Sequence, residues 1–172
     1  FCSFNNSYKL TPQIFDAWMR LLAAVPRSVL WLFEPNRHVA GNLRREAVAR
    51  GVDPDRLVFA PRLPLAEHLG RHAHADLFLD SLPVNAHTTA SDALWAGLPV
   101  LTMPGDSFVG RVAASLNRAV GLPELVAGSI EEYEALAFRL ATEPGLLASY
   151  RNRLAADRRT SPLFDIERYT RN

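Results

Sequence analysis

His87, Thr88, Thr89 and Asp92 fall together in the run NAHTTASDALWAG, and their types and spacing point to a phosphate site. A helix starting at the two threonines offers free backbone N–H groups that carry roughly half a positive charge, so an anion would rest against His87, Thr88 and Thr89. Asp92 admits two readings. It lies three residues beyond Thr89, the spacing at which a carboxylate closes a capping box, and it could equally accept ribose hydroxyls from a nucleotide whose phosphates lie on the helix start. Lys9 adds a cation. Of 19 Lys plus Arg it is the only lysine. Chance is one account of that isolation; the other is a need for a compact point charge, which an arginine fork does not reproduce.

Other reactive residues have plainer readings. His68 and His72 are four apart on a helix with His74 close behind, which resembles a metal pair, but no carboxylate or cysteine is spaced to complete it. Histidines near a helix C-terminus are favoured by the dipole in any case. The triplet Asp53-Pro54-Asp55 follows Gly51 between a helix and a strand and reads as a turn. Cys2 sits in a strand without a base, no Gly-x-Ser-x-Gly occurs, and neither a Gly-x-Gly-x-x-Gly nor a Walker loop is present. Neither a metal nor a cofactor is expected.

The elements that must position these residues alternate along the chain. FCSF and SVLWLF read as buried strands, Arg56 to Ala60 as a third, Leu77 to Leu79 as a fourth, and the apolar run before Pro104 as a fifth, with a further short strand near Leu125. Between them the pattern predicts a helix capped by Thr11 with Pro12 at its first position, and helices from about Asn42 to Arg50 and from Leu65 to about His72. Further helices run from a Thr88 or Thr89 cap to Trp95, from Gly110 to Ala119, from Ile130 to Thr142 and from Leu146 to Arg158, before a polar tail. Such alternation implies an α/β fold, a doubly wound, Rossmann-like parallel sheet covered on both faces. Its ligands bind beyond the carboxyl ends of the strands, where strand order reverses. Lys9 follows the first strand, Arg62 and His68 the third, and His87 with the threonines the fourth, so the polar candidates converge there.

Composition narrows the classes further. The 172 residues are 48% hydrophobic and 22% charged with a net charge of +1, which fits one domain with a proper core. Scattered arginines and near-neutral charge argue against nucleic acid as a partner. No apolar run reaches the ~20 residues of a membrane span and no signal peptide is evident, so a cytoplasmic chain without membrane attachment is expected. A single cysteine leaves neither a disulfide framework nor a cysteine-based zinc site. The opening on Phe1 reads as a piece of something longer. The residues by themselves lead to a nucleoside diphosphate site and do not name the substrate.

Several runs do more. FCSFNNSYKLTP, SVLWLF, RLVFAPRLPLAEH, NAHTTASDALWAGLPVLTMPG, RVAASL and SPLFDIERYT resemble, in collinear order over nearly the whole chain, the C-terminal catalytic half of the O-GlcNAc transferase and SPINDLY family. The block His-Thr-Thr-x-x-Asp-x-Leu-Trp-x-Gly carries most of the specificity.

The resemblance implies a GT-B glycosyltransferase, two Rossmann-like lobes behind tetratricopeptide repeats. Residues 1–172 would form the second lobe, with the N-terminal lobe and the repeats outside this chain. By motif, Lys9, His87 and the Thr88 and Thr89 amides would contact the diphosphate, Asp92 the ribose and His68 the base, with Arg71 and Leu63 near the base's edge. Lys9 and His87 would be the catalytic pair. Asn6 stands where animal members have glutamine and Leu65 where they have a nucleotide-contacting lysine. The implied reaction is inverting, metal-independent transfer from UDP-GlcNAc to serine or threonine hydroxyls of an acceptor protein. GDP-fucose as donor, or sugar-nucleotide binding without catalysis, stay open as alternatives.

Overall fold

The computed structural model describes residues 1–157 and 160–171. Among them, five short strands form one parallel sheet: β1 (Cys2–Ser3), β2 (Leu30–Phe33), β3 (Leu57–Ala60), β4 (Phe78–Leu79) and β5 (Val100–Leu101), in the order β3-β2-β1-β4-β5. Cys2 is the hinge of this arrangement, pairing with Trp31 of β2 on one side and Phe78 of β4 on the other. Strand order therefore reverses between β1 and β4, and a crevice opens beyond their carboxyl ends.

Helices α1 (Pro12–Ala24), α2 (Arg37–Ala49), α3 (Leu65–Arg71) and α4 (Thr88–Trp95) connect the strands, followed by α5 (Val112–Ala119), α6 (Ile130–Thr142), α7 (Pro144–Asp157) and α8 (Ile166–Arg171). The doubly wound sheet and the α1, α3 and α6 boundaries follow the sequence pattern. Thr11 caps α1 by accepting from the Ile14 N–H, and α1 buries the stripe Ile14, Phe15, Trp18, Leu21 and Leu22. The end of α4 is a Schellman turn: Gly97 has φ 85°, its N–H bonds the Leu94 carbonyl, and Leu98 N–H bonds the Ala93 carbonyl. That turn redirects the chain into β5.

Four expectations are corrected. Helix α2 begins five residues before Asn42, because Asn36 accepts from His38 N–H and nucleates the helix there, with Gly41 tolerated inside. The strand near Leu125 is instead a 3-10 turn, Pro123–Leu125, followed by a single parallel bridge between Val126 and Thr102; Pro123 forces the turn. Helix α7 starts at Pro144 rather than Leu146, proline being favoured in a first turn, while the expected end at Arg158 lies outside the described residues. The tail carries α8. Among the described residues no helix is long and apolar enough to cross a membrane.

Candidate nucleotide-binding crevice

Two loops build the crevice at the strand-order reversal. The loop after β1 runs through Asn5 and Asn6 into a 3-10 turn, Ser7–Lys9, which places Lys9 over the end of β4. Its Nζ donates to the Asn85 carbonyl at 2.7 Å. Burial pulls the Lys9 ammonium below its usual pKa, and Asp80 opposes that shift. Asn6 caps the same turn with extended backbone and is exposed to solvent.

The loop after β4 is fixed from beneath. Asp80 is completely buried, and its Oδ1 accepts from Ala86 N–H at 2.6 Å and from Ser81 N–H at 2.8 Å, while Oδ2 accepts from the Thr102 hydroxyl at 2.6 Å. Asn5 Nδ2 donates to Ser81 Oγ at 2.9 Å, joining the two loops. Behind the floor, Trp18 Nε1 donates to Tyr133 Oη at 3.2 Å and Tyr133 donates to the Asp80 carbonyl at 3.1 Å, so α1 and α6 brace the end of β4. Neither Asp80 nor Asn5 stood out in the sequence. A carboxylate closing the buried run LFLD was the available signal, since an aspartate at a strand's carboxyl end must be hydrogen-bonded or exposed.

His87 is the N-cap of α4, and no side chain caps the helix. The expected caps, Thr88 and Thr89, lie one and two residues too far along: Thr88 is the first helical residue, and the Thr89 hydroxyl donates instead to Asn5 Oδ1 at 2.6 Å. This also removes the capping box, since Asp92 is five residues past the true cap. The α4 amides are thus left uncapped by side chains toward the crevice, a ready anion site. The His87 Nε2 sits 3.2 Å from the Val109 carbonyl, which can only accept, so Nε2 carries the proton.

His68 and Asp92 come together from α3 and α4, with Nε2 and Oδ2 3.6 Å apart. Burial, then the neighbouring Arg71, lowers the His68 pKa, and burial raises that of Asp92, so His68 is neutral at pH 7 and the contact is not an ion pair. The Arg71 guanidinium bonds His68 Nδ1, donates to the Pro61 carbonyl at 2.9 Å and lies 4.2 Å from the Phe4 ring centroid. Arg71 is 8% exposed, which corrects the expectation of a side chain at the base's edge: it lies beneath His68 and orients the ring. Leu63 is half-buried in the segment leading into α3, and Leu65 is exposed.

His72 donates from Nδ1 to the His68 carbonyl, and burial drives its pKa down to about 4, so it packs as a neutral ring against Phe4. His74 is exposed. Among the described residues no three His, Cys, Asp or Glu side chains gather as a metal-binding group. Asp53 caps a 3-10 turn, Pro54–Arg56, by accepting from Asp55 N–H, and that turn enters β3 at its amino end, away from the crevice at the carboxyl ends. A cavity of about 1000 Å³ lined by Val25, Trp31, His74, Ala75 and Leu140 among others contains none of the candidate nucleotide contacts. The Cys2 thiol, buried and pushed up to about 12, is no nucleophile.

The carboxyl ends of the strands therefore present a half-buried ammonium, an uncapped helix start, a carboxylate and a neutral ring. That combination suits a diphosphate flanked by a sugar and a flat base.

The sequence matches the model of glycosyl transferase family 41 over residues 1–172. It is 42% identical over 169 residues to the UDP-N-acetylglucosamine–peptide N-acetylglucosaminyltransferase of Caenorhabditis elegans, covering 98% of this chain and 15% of that protein. Identity is 40% with the probable enzyme of the same activity called SEC in Arabidopsis thaliana, over 100% of this chain and 18% of the relative. A mutant of the Thermobaculum terrenum O-GlcNAc transferase superposes with a TM-score of 0.92 at 33% identity, over 99% of this chain and 33% of that one. The chain thus spans less than one fifth of these two curated relatives.

Proposed function

Because the chain belongs to glycosyl transferase family 41, we propose that its crevice holds the nucleoside diphosphate of a sugar donor, UDP-GlcNAc, for transfer to serine or threonine hydroxyls of proteins. One observation carries the reading: Lys9, His87 with the uncapped start of α4, Asp92 and His68 converge where strand order reverses. Lys9 and the α4 amides receive the diphosphate, Asp92 the ribose hydroxyls, and the His68 ring, oriented from beneath by Arg71, the base, with Leu63 flanking it. Asn6 stands at the open rim of the crevice.

In the transfer, the acceptor oxygen attacks the anomeric carbon from the face opposite the diphosphate and inverts its configuration. The bond from that carbon to the diphosphate oxygen breaks, and its electron pair leaves with the nucleotide. Lys9, the helix start and His87, once its Nε2–H turns from the Val109 carbonyl, stabilise the charge that grows there, the task a divalent metal performs in other sugar transferases, so the reaction is metal-independent. The acceptor's proton goes to a base in the N-terminal lobe, with which residues 1–172 form the complete enzyme, and tetratricopeptide repeats present the acceptor. On composition, the transfer takes place in the cytoplasm.

Calorimetry with UDP in excess chelator tests the proposal on the complete protein. Heat of binding without metal is expected. Binding that appears only when manganese is restored rules out the metal-free site.

A further inference from the structure

Asp80 has no part in the roles assigned above, yet it is the most enclosed charge near the crevice. Every group on its carboxylate is a donor: the Ala86 and Ser81 amides and, at 3.5 Å, Asn5 Nδ2 on Oδ1, and the Thr102 hydroxyl on Oδ2. The Ala86 amide follows directly on Asn85, whose carbonyl accepts from Lys9 Nζ, and precedes His87. One carboxylate thus fixes the turn against which both candidate diphosphate contacts are aimed.

The two charges also act on each other. Burial raises the Asp80 pKa to about 7, against the pull of its donors and of Lys9; burial lowers that of Lys9, against the pull of Asp80. Around the pair, Tyr8 shares the turn of Lys9, His87 heads α4, whose Asp92 turns to His68, and Tyr133 is the α6 group that bonds the Asp80 carbonyl. Asp106 and Arg111 flank the loop that meets this turn, with Arg111 bonding the Asp106 carbonyl. Asn5, Thr89 and Thr102 are neutral. Asp80 is the carboxylate that acts on Lys9.

Resting on the reading of the crevice as a diphosphate site, we propose that Asp80 is a positioning residue: a buried counter-charge that keeps Lys9 protonated and holds the 81–87 turn through the Ala86 amide. A phosphate-binding ammonium withdrawn from water needs such a partner, since desolvation alone favours the neutral amine. Contact between Asp80 and the ligand is not required.

Lys9 is the only lysine in the sequence, which makes its protonation directly readable. The rate of Lys9 acylation by an amine-selective reagent, followed across pH by mass spectrometry of the Lys9 peptide in the complete protein, reports it whether or not nucleotide binds. Asp80→Asn keeps an acceptor for both amides and can donate to Thr102, so the fold is expected to persist. Its Lys9 midpoint is expected to fall by about half a pH unit or more. An unchanged midpoint overturns the proposal, because a merely structural role would leave it in place. Should Asp80→Asn fail to fold, Asp80→Ser, which keeps an uncharged acceptor under the turn, must move the Lys9 midpoint the same way, and no movement overturns the proposal. Titration of the same wild-type sample with UDP separates the two levels. No UDP binding overturns the nucleotide reading, while the acylation profiles decide the Asp80–Lys9 coupling by themselves.

Discussion

His68 Nε2 faces Asp92 Oδ2 across 3.6 Å because the Arg71 guanidinium, which can only donate, occupies Nδ1 and leaves the ring proton on the other nitrogen. The proposed base and ribose contacts are therefore one unit joining α3 to α4. Asp92→Asn is expected to weaken UDP binding by roughly 1.5 to 3 kcal/mol, as for hydrogen bonds to a charged group, and His68→Ala by roughly 1 to 3 kcal/mol through lost stacking. The double variant should lose less than the sum. Calorimetry on all four proteins measures this, and strict additivity would show that the pair acts independently.

Lys9→Ala should cost about 1.5 to 3 kcal/mol of UDP affinity. Lys9→Arg should recover only part, because a planar fork cannot reproduce a point charge that also donates to the Asn85 carbonyl at 2.7 Å. Full recovery by arginine in the same titration would count against a requirement for a compact cation.

Tyr133→Phe should destabilise the fold by about 1 to 3 kcal/mol, since it strips a donor from the buried Asp80 carbonyl and an acceptor from Trp18 Nε1. Thermal or urea unfolding measures it. A change within error would mean that the Trp18–Tyr133–Asp80 chain does not brace the sheet.

Two buried groups should set opposing pH slopes. The native His72 pKa of about 4 lies below its ordinary 6.5, so the unfolded chain binds the extra proton and stability falls as pH drops from 6.5 to 4, by roughly 3 kcal/mol. The native Asp80 pKa of about 7 lies above its ordinary 3.8, so the native state holds the extra proton and stability rises as pH drops from 7 to 4, by roughly 3 to 4 kcal/mol. The slopes nearly cancel. Asp80→Asn should therefore steepen acid destabilisation between pH 6.5 and 4 in urea unfolding; an unaltered slope would mean that Asp80 does not titrate there.

The donor is decided at the base, because every nucleoside diphosphate offers Lys9, His87 and Asp92 the same groups. In the proposed site, stacking on His68 would accept any base, so selection would fall to the segment around Leu63 and the rim near exposed Leu65. UDP is expected to outcompete GDP for the complete protein. GDP displacing labelled ligand at about one tenth the UDP concentration would replace UDP-GlcNAc with GDP-fucose.

What the sequence disclosed was periodic or chemically conspicuous. Alternating apolar runs and capped helices foretold the doubly wound sheet, and the loops carrying Lys9, His68 and His87 could be placed at the carboxyl ends of their strands before any coordinates. Contacts between distant segments were not legible. Thr89 bonds Asn5, 84 residues away, instead of capping its own helix, and Asp80 answers to Thr102 and Lys9. The resemblance sets Arg71 near the base's edge; only the fold shows its guanidinium spent on Pro61, His68 and Phe4. The α2 start was not legible because two asparagines, Asn36 after Pro35 and Asn42, offer the same cap chemistry, and only the Asn36 side chain accepts from a helix-start amide, that of His38.

The carboxylate under the 81–87 turn has a consequence in time as well as in space. Loop amides normally exchange with solvent quickly, yet the Ser81 and Ala86 N–H groups end on a side chain that water does not reach. They should exchange at the rate of the sheet rather than of a loop, opening only when β4 itself opens. A ligand arriving at such a floor meets a surface already ordered, and little of its interaction energy is diverted into ordering the protein.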